Sequence, residues 1–136
     1  MQLTPQQFGS ILSNLRGGGS SSRGSEQRRH SRIRVRARVA VASMDNAQAV
    51  RSYSVLTSDI SISGIAVMQS TVAAAGSHLL VRLPRQESPA ITILCTVSRC
   101  SQLADGLYCV GAQFVQEITS GLMRPPLAVG RADERA

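Results

Sequence analysis

The chain has 136 residues, 43% of them apolar; its 15 basic residues are all arginine, eight residues are acidic, and the formal net charge is +7. That length suits one domain with a real core and not two full ones. The longest uninterrupted apolar runs have four residues (39–42, 65–68 and 72–75). A membrane-spanning helix needs roughly 20, so no membrane span is expected.

The charge is concentrated. Residues 16–38 hold eight Arg (16, 23, 28, 29, 32, 34, 36 and 38) against one acid, Glu26, which is the whole excess; the seven Arg and seven acids of residues 39–136 cancel. This pattern describes a neutral domain with one anion-attracting segment, not a surface coated for extended nucleic acid. The first arginine, Arg16, follows a polar, interrupted segment. No secretory signal is therefore expected, and the expected location is the cytoplasm. Three Cys (95, 100 and 109) are an odd number, which fits a reducing compartment. Four residues separate Cys95 from Cys100, and Cys109, His30 and His78 stand apart. The thiols read as small buried hydrophobes, and no metal is expected.

In chain order, residues 3–15 predict a short amphipathic helix. Thr4 suits the N-cap, Pro5 the first helical position, and Gln7 completes a capping box. Leu3 and Phe8 have the spacing of a hydrophobic staple, and Phe8, Ile11, Leu12 and Leu15 form one apolar face. So short a helix is marginal alone, so the stripe must dock, on its own domain or on a partner. Residues 17–25 are Gly/Ser-rich and read as a flexible linker. From Ile33 the pattern alternates, with Ile33, Val35, Ala37, Val39 and Val41 on one face and Arg34, Arg36 and Arg38 on the other, the wet face of a half-buried strand. Strand-like stretches follow at about 51–60, 64–69, 78–83, 90–99 and 107–115, with Gly76, Pro84, Pro89 and Asp105-Gly106 as turns. Six short strands without long intervening helices predict an antiparallel barrel or sandwich. Val115, Ile118, Leu122 and Met123 permit a short closing helix before Pro125, and the remaining tail reads as frayed. The organisation expected is a helix at 1–16, a linker at 17–25, a barrel at 26–118, and a short helix with flexible tail at 119–136.

No catalytic motif is evident: there are no paired carboxylates, no Gly-x-Ser-x-Gly and no phosphate loop. A binding protein, not an enzyme, is expected. Two motifs carry chemistry. The first is Arg28-Arg29-His30-Ser31-Arg32, at the mouth of the first strand. A guanidinium forks onto phosphate or onto the O6/N7 edge of guanine. The second is Asp59-Ile60-Ser61-Ile62-Ser63-Gly64. Parity turns Ile60 and Ile62 inward and Asp59, Ser61 and Ser63 outward. An Asp carboxylate matches the N1–H and N2–H donors of guanine, and Gly64 allows a tight turn or close approach. An ordinary turn, with Asp and Ser bonding their own backbone, is the competing reading of this segment.

Arg-x-x-x-Arg before the first strand of a small β domain, then Asp-x-Ser-x-x-Gly, resembles the PilZ domain over about residues 26–118. Gly111 and Phe114 resemble the closing strand of that family. The resemblance implies a six-stranded antiparallel PilZ-type β-barrel, here with a short N-terminal amphipathic helix and a short C-terminal helix. It implies cyclic di-GMP as ligand, with no further cofactor. Arg28 and Arg32 would then grip phosphate and guanine, with Arg29 as an auxiliary contact. Asp59 and Ser61 would meet guanine and phosphate, and Gly64 would shape the turn. The expected function is a cyclic di-GMP receptor that signals to a protein partner, with residues 23–32 mobile without ligand and ordered by it. The alternatives are a nucleotide-independent protein–protein adaptor whose function rides on helix 3–15, and a small RNA- or single-strand-binding barrel. Such sheets rely on stacked aromatics, and only Tyr53, Tyr108 and Phe114 lie in the domain.

Overall fold

Hydrophobic alternation of period two runs through most of the chain from residue 33, and the backbone answers with one closed antiparallel sheet. The computed structural model describes residues 1–16, 32–45, 48–86 and 88–118. A helix, α1 (Pro5–Leu15), precedes seven strands: β1 (Ile33–Arg34), β2 (Arg38–Asp45), β3 (Gln48–Ile60), β4 (Gly64–Gln69), β5 (His78–Arg85), β6 (Ser88–Ala104) and β7 (Leu107–Ile118). Neighbouring strands run β3-β2-β5-β6-β7-β4, and the β3–β4 pairing closes a six-stranded barrel; β1 adds a two-residue extension alongside β3.

The first strand alternates as expected but is split. Val35, Val39 and Val41 are buried while Arg34, Arg36 and Arg38 are exposed. Between β1 and β2, the three residues Val35, Arg36 and Ala37 face only two on β3, Thr57 and Ser58. The buried Thr57 hydroxyl fills the break, donating to the Val35 carbonyl and accepting from the Ala37 N–H at 3.0 Å. The other strands match the expected stretches, with β3, β6 and β7 longer than predicted. They meet in a two-residue turn in which Gly106 takes φ +73°, a conformation that costs glycine little. Pro84 and Pro89 lie within strand ends, not in the turn. Val115 and Ile118 belong to β7, so the closing helix expected to begin there is strand at those positions. Residues 119–136 lie outside the described residues.

Barrel interior and α1 share one core. Ile60, Ile65, Val67, Val81, Leu83, Ile91, Ile93 and Val110 pack with Leu3, Ile11 and Leu15. The helix starts as its sequence predicts: the Gln7 N–H donates to Thr4 Oγ1 at 3.0 Å, and the Thr4 N–H to Gln7 Oε1 at 2.9 Å. It lies across the barrel end formed by the β3–β4 and β5–β6 turns. The Leu3 N–H donates to the Ile62 carbonyl at 2.8 Å, and Ser10 Oγ donates to the Gln86 carbonyl at 3.1 Å. The apolar stripe thus docks on its own domain. Among the described residues no helix is long and apolar enough to cross a membrane.

Candidate functional site

Two β-bulges shape the outer wall. In β3, Val55 and Thr57 point inward, and strict alternation would turn Asp59 inward too. Instead the register with β4 shifts between Thr57 and Asp59, leaving Ser58 as an extra residue. Ile60 then resumes the inward face, fully buried, and Asp59 faces out. In β6, Ile91, Ile93, Cys95 and Val97 point inward, and a second bulge between Val97 and Arg99 leaves Ser98 extra. Ser98 and Arg99 both reach the exterior, and Cys100 resumes the inner parity. Ser98 Oγ pins this bulge by donating to the Gly111 carbonyl at 3.1 Å. Bulges of this kind re-aim side chains beside binding sites.

Cross-strand register then sets one row across the barrel wall. Arg34 is opposite Asp59, Asp59 opposite Ala66, Ala66 opposite Gly111, and Gly111 opposite Arg99. Directly paired residues face the same side of a sheet, so the row has cations at both ends, a carboxylate, and a floor of two small residues. Arg32 joins it from β1's side, its Nε 3.2 Å from Asp59 Oδ1. That oxygen is buried, and among the described residues no donor is aligned on it. Ser58 Oγ donates to the other carboxylate oxygen at 3.4 Å. A desolvated carboxylate oxygen without a well-aligned donor is an acceptor still to be filled.

The turn after Asp59 departs from the expectation for Ser61. Ser61 is 2% exposed, not outward. The chain has left the strand: the Ser61 N–H donates to the Gly64 carbonyl at 2.9 Å, and Ser61 Oγ accepts from the Ser63 N–H at 3.2 Å. This is the self-bonded turn open to Asp and Ser sequences. Gly64 is required by close approach and not by a positive φ. A Cβ there would stand 2.6 Å from the Ala112 carbonyl oxygen on β7. Arg28 and Arg29 lie outside the described residues, as do the expected linker and most of the 23–32 segment. The structure therefore brings Arg32, Asp59 and the Ser61–Gly64 turn together, and adds Arg34 and Arg99. Strand alternation alone puts Arg34 on a wet face, and no sequence motif marks Arg99. The legible signal for Arg99 was the jump of apolar parity from Val97 to Cys100, which demands an extra residue between them.

Cys100 and Cys109 are free thiols and only partly buried, short of the burial expected for all three cysteines. Cys95 is a fully buried core residue whose thiol burial pushes up to about 12. Phe114 is core as well, at 3% exposed. Tyr53 is half-buried, its hydroxyl donates to Gln69 Oε1 at 3.4 Å, and burial raises its pKa above the ordinary phenol value. It lines a wide-mouthed cavity of about 850 Å³, with Arg51, Gln69, Thr71 and His78, whose lining does not include Asp59.

Comparison with known proteins follows the same outline. The family model for the PilZ domain matches residues 26–124. Among solved structures the chain is similar to the Bacillus subtilis inhibitor of motility (MotI/DgrA), at 16% identity and TM-score 0.50, covering 70% of this chain and 45% of that one. It is also similar to MrkH of K. pneumonia in complex with c-di-GMP, at 22% identity and TM-score 0.49, covering 68% and 45%. At these identities the likeness concerns the fold alone, and the chain spans less than half the length of either protein. No curated protein matches the sequence.

Proposed function

The chain belongs to the PilZ domain family, and on that premise we propose that it is a receptor for cyclic di-GMP that binds on the outer wall beside Asp59. The observation that carries the reading is the Arg32–Asp59 pair at 3.2 Å, set over a floor of Ala66 and Gly111. The ligand is a dianion with two guanines. An Asp59 oxygen without an aligned donor suits the N–H edge of guanine, and Arg32 with Arg28 and Arg29 suits phosphate and the O6/N7 edge. Ser61 and Gly64 serve by fixing the turn that follows Asp59, Ser61 through its bond to the Ser63 N–H and Gly64 through its closeness to β7.

The proposed output runs through α1, which is hydrogen-bonded to the Asp59 turn at Ile62 and is followed in sequence by the segment carrying Arg28 and Arg29. A protein partner would read a change there. The burial of Ile11 and Leu15 in the barrel core, with Phe8 and Leu12 packed against it, favours the receptor reading over an adaptor that docks through the helix stripe. Calorimetric titration with cyclic di-GMP is the test. Binding tighter than about 100 μM supports the receptor reading; weaker binding, or Arg32→Ala and Asp59→Ala variants that bind like the unaltered chain, overturns it.

A further inference from the structure

Arg99 stands at the far end of the row from Asp59, with only Ala66 and Gly111 between them. Three inter-strand steps of about 4.8 Å separate the two, roughly 14 Å along the wall. The β6 bulge brings Arg99 to the outside, and what it does there is unusual for an exposed arginine. Its side chain folds back over β7: a Cβ built on Gly111 would meet Arg99 Cγ and Arg99 Nε, both at 3.4 Å. The guanidinium therefore lies toward β4 and Asp59 and not away from them. Glycine at 111 leaves that room. Among the described residues no carboxylate lies within ion-pair distance of Arg99.

We propose that Arg99 is a further ligand-binding residue, which takes the half of the dinucleotide that Asp59 does not hold. Its planar fork matches a pair of acceptors, either phosphodiester oxygens or the O6/N7 edge of the second guanine. Two bulges with the same form, Ser58-Asp59 and Ser98-Arg99, then aim one acceptor and one donor at opposite ends of a single molecule. This assignment rests on the cyclic di-GMP reading above and deepens it.

The experiment titrates cyclic di-GMP into the unaltered chain, Arg99→Ala and Arg99→Met, each checked for fold by circular dichroism. Arg99→Met keeps an apolar stem over Gly111 and removes the charge. Loss of a charge-assisted hydrogen bond predicts a fall in affinity of about 10- to 100-fold in both variants. If the unaltered chain binds and Arg99→Met loses less than about fivefold, the contact is overturned while the receptor reading stands. That holds even where Arg99→Ala is weaker, because stem packing alone then explains the effect. If the unaltered chain does not bind, the receptor reading falls and this assignment with it.

Discussion

Asp59 separates binding from stability at the scale of one residue. The Arg32–Asp59 pair is partly exposed, with side chains 43% and 25% accessible, and pairs of this kind contribute about 0–1 kcal/mol. Arg32→Ala and Asp59→Ala should leave the denaturation midpoint nearly unchanged while reducing cyclic di-GMP affinity by roughly 30- to 1000-fold, the usual cost of removing one member of a desolvated charge-assisted set. Denaturation and calorimetry on the same preparations check both halves. Gly64 should behave in the opposite way. Its Cβ would press on a β7 carbonyl, which is backbone and cannot step aside, so Gly64→Ala should destabilise the fold by about 1–3 kcal/mol. Cys95 gives a pH signature. Its folded-state thiol is pushed up to about 12 from an ordinary value of 9.0. The unfolded chain therefore loses this proton first, and the folded state binds more protons between those values. Stability from this group is complete below pH 9.0 and falls above it by up to about 1.4 kcal/mol per pH unit. Alkaline thermal melts should show the loss in the unaltered chain and a shallower one in Cys95→Val.

At the scale of the element, α1 is part of the barrel and not an attachment to it. Ile11 is fully buried and Leu3 is 3% exposed, in the same cluster as the strand residues. Ile11→Ala should cost about 2–5 kcal/mol in chemical denaturation. Removal of residues 1–16 should open the barrel end, so it tests folding and not partner choice. The helix also touches the binding machinery through the Leu3–Ile62 hydrogen bond. Exchange of α1 amides should therefore change on ligand addition if the helix carries the signal; unchanged protection there would exclude it as the output.

Across the whole molecule, charge and fold divide the work. Residues 39–136 carry no net charge, and the net +7 sits in residues 16–38, which lead into β2. Attraction of a dianion should therefore depend on salt far more than folding does. Raising ionic strength from about 0.05 M to about 0.5 M shortens the screening length several-fold. It should weaken cyclic di-GMP binding measurably and leave the melting temperature almost unmoved.

Much of the architecture is legible in local pattern. Period-two alternation marked six strands, because a half-buried sheet exposes every second residue. Thr4, Pro5 and Gln7 marked the start of α1, because capping is satisfied locally. The two short motifs pointed to the family, since their order and spacing survive without a structure. Which residues meet is set by pairing across the closed barrel. Ser61 is buried in the turn after Ile60, where its hydroxyl accepts from the Ser63 N–H, an arrangement that parity counting cannot register. Arg34 and Arg99 joined Asp59 in one row because bulges at Ser58 and Ser98 shifted the register of strands 40 residues apart in the chain. Cross-strand register is set by which strands pair and where each gains an extra residue. That information belongs to the closed barrel and to no single stretch of sequence.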